Sequence, residues 1–192
     1  MPGLKLIAAV LVAAVIASAV PQHGDAGSAR NCVTQLAPLQ AGARDSVAVD
    51  LGCYDTWAEA ISVATDGRVS LQANARPADA TDDTLNAPRG AAARDASAQS
   101  TTVIGIDYTS TPYLGATKTW TSADGCYGGA SFQSVMPSAW NNVIRSSLTF
   151  GGCSTSRHYD SATYSGSSIA CSPNCASMGA MDQKTSSERW TP

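Results

Sequence analysis

The sequence predicts an all-β C-terminal domain, preceded by a small α+β segment and a disordered linker, and three observations lead there. Residues 108–115, "YTSTPYLG", and 159–166, "YDSATYSG", share one spacing, so Tyr108, Tyr113 and Gly115 recur as Tyr159, Tyr164 and Gly166. Residues 54–71, "YDTWAEAISVATDGRVSL", carry a useful helical period. Residues 74–102 lose aromatics and periodicity altogether and are rich in Ala, Asp, Pro, Thr and Ser, a composition that buries too little to offset chain ordering.

Taken in order, "MPGLKLIAAVLVAAVIASAV" has one Lys, an uncharged run from Leu6 to Val20, and Ala17-Ser18-Ala19 at its end. That is the pattern of a secretory signal, assigned to residues 1–19, and the run is too short to span a bilayer. The chain is therefore expected to be secreted and extracellular, with no membrane association beyond the signal. Six Cys, all beyond the signal, fit an oxidising compartment. The simplest arithmetic pairs Cys32 with Cys53 and leaves Cys126, Cys153, Cys171 and Cys175 to form two bridges in any of three connectivities. Zinc is the rival reading of these cysteines, but Cys171-Ser-Pro-Asn-Cys175 is a lone pair with no His nearby. A net charge of −3 with 14% charged residues gives no basic stripe, which excludes a nucleic-acid partner.

Residues 20–73 read as a small α+β unit, with "NCVTQLAPL" as an entering strand and "RVSL" as a closing one. Thr56 and Glu59 form a capping-box signature, Trp57, Ala60, Ile61 and Ala64 recur at helical spacing, and Gly67 sits at the expected helix end. So short a unit has a marginal core, which a Cys32–Cys53 bridge would support. The linker 74–102 contains "RGAAARD", a candidate proteolytic site, and the front segment is expected to be a pro-segment removed on maturation. From 103 to 192, "TVIGIDY", "SSLTF" and "SSERW" are strand candidates.

Each Tyr-Tyr-Gly stretch has a second half downstream. "MPSAWNNVIRSSLTF" matches "MGAMDQKTSSERW", with Trp140-Asn141-Asn142 against Met181-Asp182-Gln183 and Ser146-Ser147-x-x-Phe150 against Ser186-Ser187-x-x-Trp190. With both halves present twice, residues 103–190 resemble the βγ-crystallin family. The resemblance implies two Greek-key motifs forming one sandwich. The chain is similar to secreted bacterial members of that family, which include metalloprotease inhibitors and killer-toxin-like proteins. In that family an acidic-amide pair and a Ser/Thr form calcium sites. The resemblance implies Asn141, Asn142 and Ser146 in the first unit, and Asp182, Gln183 and Ser186, with Ser187 as final Ser, in the second. The register of the first is open: counting from Asn141 puts Arg145 in the Ser/Thr position, and counting back from Ser146-Ser147 puts Val143 in the Asn/Asp position. With Asp182 the one carboxylate, calcium binding is expected to be weak, on the order of 10⁻⁴–10⁻³ M. The alternative is that these residues only cap turns. The tyrosines are expected to pack under their hairpins.

The first unit carries an excess loop, "DGCYGGASFQSV", with Tyr127 and Phe132 as aromatic tips and Cys126 as anchor. It reads either as an element inserted into a partner's cleft or as an ordinary surface insertion. Catalysis is not expected. His158 and Asp160 lie two apart, but no Gly-x-Ser-x-Gly elbow occurs, and His158 is expected to face solvent beside the hairpin. The two Glu of the whole chain give no paired glycosidase carboxylates. The expectation is a secreted, monomeric, non-enzymatic βγ-crystallin-like protein, a weak calcium binder and protease inhibitor whose partner is a secreted protease. The alternatives are a passive disulfide-stabilised extracellular module and a killer-toxin-like antimicrobial protein.

Overall fold

The structure is a computed structural model that describes residues 30–86 and 101–192. The expected signal peptide and the "RGAAARD" stretch lie outside the described residues. The repeat folds as two four-stranded units. The first comprises β3 (Thr102–Ser110), β4 (Leu114–Ser122), β5 (Phe132–Val135) and β6 (Ser146–Thr149). The second comprises β7 (Thr155–Tyr159), β8 (Ser168–Cys171), β9 (Asn174–Cys175) and β10 (Ser187–Thr191).

Each unit lends one strand to the other's sheet. The order β4-β3-β6-β9 in one sheet mirrors β8-β7-β10-β5 in the other, so the units are related by a pseudo-twofold and neither closes a sheet alone. Ile104, Trp120, Phe132, Ile144, Met178 and Trp190 fill the space between the sheets. The fold class is the expected one: an all-β, βγ-crystallin-like sandwich of two interlocked Greek keys.

The front segment adds to this sandwich instead of standing beside it. Strand β1 (Asn31–Leu36) runs parallel to β4, from Cys32 opposite Lys118 to Leu36 opposite Ser122, and β2 (Ala48–Tyr54) pairs antiparallel with β1. The first sheet thereby reaches six strands. Helix α1 (Trp57–Ala64) begins with the expected capping box: Glu59 N–H donates to Thr56 Oγ1, and Thr56 N–H donates to Glu59 Oε2. Gly67, at φ 73°, closes the helix by donating its N–H to Ser62 O. Trp57, Ala60, Ile61 and Ala64 then cover the outer face of the six-stranded sheet, against Val33, Val103, Ile106 and Tyr108.

A bulge makes that second core possible. Pairing of β3 with β4 slips between Val103 and Gly105, so Ile104 packs between the sheets while Val103, Ile106 and Tyr108 face the helix layer. The half-buried alternation expected for "TVIGIDY" is corrected accordingly, because β3 is buried on both faces.

Two further expectations change. "RVSL" is not a strand: the second strand of the front segment is β2, and both edges of β1 are already taken, by β2 and β4. Val69 and Leu71 pack on the helix layer instead. The stretch expected as uninterrupted linker also divides. Residues 77–79 form a short 3₁₀ turn and α2 spans Asp82–Asn86, with Leu85 fully buried. Asn86 docks this stretch on β3 through Val103, donating to its O and accepting from its N–H.

The disulfides join Cys32 to Cys53, Cys126 to Cys153 and Cys171 to Cys175. The first is the expected pair, and the other two resolve the open connectivity. The loop between β1 and β2 reaches the second sheet, where Ser46 N–H donates to Gln133 O and Gln133 Nε2 to Arg44 O. It thereby covers the outer edge of β5.

Candidate functional site

The repeated tyrosines shape two equivalent hairpins. Tyr113 and Tyr164 take φ of 58° and 55°, and Gly115 and Gly166 follow at 81° and 80°. The rings meet edge to face, Tyr108 with Tyr113 at 5.6 Å and Tyr159 with Tyr164 at 6.1 Å between centroids. One serine ties each hairpin down. Ser146 Oγ donates to Ser110 O at 2.8 Å, and Ser187 Oγ donates to Ser161 O at 2.6 Å. Since Ser110 and Ser161 occupy the same place after their tyrosines, Ser146 is the counterpart of Ser187.

That bond settles the register. The loops answer each other across the pseudo-twofold, Asn142 N–H donating to Thr185 O and Gln183 N–H to Ile144 O. Asn142 and Gln183 are both left-handed, at φ 60° and 55°. Asn141-Asn142-x-x-Arg145-Ser146 therefore superposes on Asp182-Gln183-x-x-Ser186-Ser187. The sequence alignment of Ser146-Ser147 on Ser186-Ser187 is off by one residue, because the two strands enter their sheets at Ser146 and Ser187.

The register places Arg145 where the resemblance implies Ser or Thr. Its Nε and Nη2 lie 3.2 and 3.0 Å from Asp182 Oδ1 and Oδ2, a forked pair that engages both carboxylate oxygens. As built, this half does not fit a calcium ion, because a guanidinium already neutralises its one carboxylate. The other half brings Ser186 Oγ to within 3.4 Å of Asn142 Oδ1 and contains no carboxylate. Ser146, engaged with Ser110 O and Tyr113 N–H, belongs to the hairpin and not to this loop pair.

The excess loop is clamped at its base. Gly125 N–H donates to Ser122 Oγ, Cys126 N–H donates to Gly151 O, and Cys126 is bonded to Cys153. Tyr127 is 57% exposed, and its ring lies where a side chain on Gly152 would be. Phe132 is not a tip. It opens β5 and is fully buried between the sheets, so the aromatic presented to solvent is Tyr127.

His158 also departs from expectation. It is fully buried, because strand alternation turns it inward beside Tyr159, and it lies opposite Glu188 in the β7–β10 ladder. Asp107 holds the equivalent place before Tyr108, opposite Ser147. The four equivalent positions thus carry Asp107, Ser147, His158 and Glu188, all closed to solvent. His158 Nε2 lies 3.2 Å from Glu188 Oε1, 4.0 Å from Asp107 Oδ1 and 3.2 Å from Ser156 Oγ. Asp107 Oδ2 accepts from Trp120 Nε1 at 2.8 Å. Burial pushes the Glu188 carboxyl well above the usual carboxylate range, with the neighbouring Asp107 adding to the effect. Burial lowers the His158 imidazole, against a smaller opposing pull from Asp107. Sequence reasoning weighed His158 only with Asp160. The available signal was that the residue preceding each first Tyr and the residue following each final Ser alternate to the inner face.

No family model and no curated protein sequence matches the chain. Among solved structures, a βγ-crystallin from an Archaea is similar over 46% of this chain and 96% of that one, at 20% identity and a TM-score of 0.34. The strand exchange and the two serine-tied hairpins describe the fold independently of that similarity.

Proposed function

We propose that the protein is a secreted, non-enzymatic binding module of the secreted bacterial βγ-crystallin type, which presents its 124–135 loop to a secreted protease. One observation carries the reading: a half-exposed Tyr127 held on a disulfide-clamped loop that needs little ordering on binding. Export is supported by three disulfides that take up all six cysteines. The non-enzymatic reading is supported by the burial of Asp107, His158 and Glu188, which leaves substrate no access to them. Titrating the purified protein against a secreted metalloprotease tests this. Inhibition at micromolar concentration that Tyr127→Ala weakens at least tenfold is the expected result, and none in the native protein removes the inhibitor reading.

A passive extracellular module is the second reading, favoured by how completely the domain is tied by disulfides and by the cover on β5. Calcium enters as a weak ligand of the Asn141–Asn142 and Ser186 half alone, since Arg145 engages Asp182. Equal melting midpoints in chelator and in millimolar calcium would dismiss it.

A further inference from the structure

We infer that Asp107, His158 and Glu188 form an enclosed site for one divalent transition metal of the zinc class, captured as the chain folds. One ligand atom from each lies within 4.8 Å of the other two, and all three side chains are buried. They come from three strands, β3, β7 and β10, so no single unit assembles the site. An imidazole with two carboxylates is the donor set of zinc and its neighbours, whereas calcium takes oxygen alone.

The spacing supports this assignment. Ligands about 2.1 Å from a tetrahedral zinc lie about 3.4 Å from one another. His158 Nε2 sits 3.2 Å from Glu188 Oε1 and 4.0 Å from Asp107 Oδ1, and one ligand atom of each residue lies within 4.8 Å of the others, so side-chain movement without a change of strand register brings the set to that spacing. Ser156 Oγ lies 3.2 Å from the same nitrogen, a hydroxyl beside the set. Trp120 Nε1–H orients Asp107 through Oδ2 and leaves Oδ1 without a hydrogen bond, as an outer-shell donor on a metal-binding carboxylate does.

Polar satisfaction points the same way. With both carboxyls ionised, Asp107 Oδ1 and the two Glu188 oxygens accept no well-formed hydrogen bond, although buried acceptors are ordinarily paired. What Glu188 meets is Asp107, Ser156 and, at 3.2 Å, His158 Nε2. Lys118, on a strand paired with β3, donates its Nζ to Thr34 Oγ1 and lies over the Trp120 ring, and forms a hydrogen bond with neither carboxylate. A divalent cation would answer these unpaired oxygens at once. Because the site is sealed, loading accompanies folding and release requires opening of the sandwich.

The test uses the full secreted chain, unfolded in guanidinium with its disulfides intact. It is refolded either with one equivalent of zinc chloride or with EDTA, then desalted into EDTA. The zinc-refolded protein is expected to retain about one zinc per chain and to melt several degrees above the EDTA-refolded protein. Refolding with cobalt(II) is expected to give visible absorption of a four- or five-coordinate site, a readout that needs no variant. Glu188→Gln keeps the side-chain shape and is expected to reduce retained metal at least tenfold, while Asp182→Asn, at the exposed loop pair, retains it. Retention below about 0.1 zinc per chain with identical melting in both preparations would overturn the proposal in favour of a trio that shares protons. Undiminished retention in Glu188→Gln would overturn it too, by placing the metal elsewhere.

Discussion

The two Greek-key units share a hairpin and differ in almost everything that touches the pseudo-twofold. Tyr, Tyr, Gly and the tying serine coincide as Tyr108, Tyr113, Gly115 and Ser146 against Tyr159, Tyr164, Gly166 and Ser187. Flanking positions have diverged in complementary pairs. Arg145 of the first unit grips Asp182 of the second, and Asp107 of the first meets His158 and Glu188 of the second. The hairpin positions are constrained by backbone geometry within a unit, so both copies keep them. The dyad positions are constrained only by each other, so one copy can change when its partner does.

The largest asymmetry to break is at the strand ends. Trp190 lies fully buried 5.0 Å from Trp120, while its counterpart in the corrected register is Thr149. Trp190→Ala is expected to cost about 3–5 kcal/mol, the range for emptying a large core site, and Thr149→Ala less than about 1 kcal/mol. Denaturant unfolding of both variants measures this. Equal costs would overturn this asymmetry between the strand ends.

The off-by-one alignment shows what the sequence made legible. Tyr-Tyr-Gly and the capping box depend on neighbours a few residues away, so spacing reveals them. Cys32–Cys53 followed from arithmetic because those two stand apart from the rest. The parallel pairing of β1 with β4 joins positions far apart in the chain and leaves no local trace, so the front segment read as separate. His158 was misplaced because the exposed hairpin was extended one residue too far, when alternation beside Tyr159 already turned it inward. Alternation beside the motifs turns each member of the polar trio inward, but their meeting across three strands is non-local and leaves no trace in spacing.

A smaller effect concerns Lys118, which faces the first unit's Asp107 across the β3–β4 ladder. Burial lowers its ammonium to about 8. The unfolded chain then holds a proton that the folded one has lost between about pH 8 and the unperturbed value near 10.4, so stability rises with pH through that window. The expected gain is on the order of 1–3 kcal/mol. Lys118→Met should flatten that part of the profile, and an unchanged slope would assign it to another group.

Next come the hairpin glycines, alike in backbone but not in surroundings. A methyl group at either position incurs the left-handed penalty of about 1–2 kcal/mol. At Gly115 it also meets Thr109 Oγ1, which is held by the Ala116 N–H. At Gly166 it meets the Asp160 carboxylate, for which no such anchoring bond exists among the described residues. Gly115→Ala is therefore expected to be the more destabilising of the two in parallel thermal melts, and the reverse order would show that Asp160 is the less able to move.

The smallest effect tests the divergence most directly. Arg145 stands where the second unit has Ser186, and its guanidinium raises no more than a solvent-exposed ion pair with Asp182. Removing it should barely change the melting midpoint in chelator. Arg145→Ser makes the two loops alike and frees both oxygens of Asp182, giving that half a carboxylate, a hydroxyl and nearby backbone carbonyls. Such a set suits a hard cation that takes oxygen ligands. Millimolar calcium is therefore expected to raise the midpoint of Arg145→Ser more than that of the native protein, by binding the folded state alone. If both respond equally, the arginine is not what separates this loop pair from a calcium site, and the missing second carboxylate is.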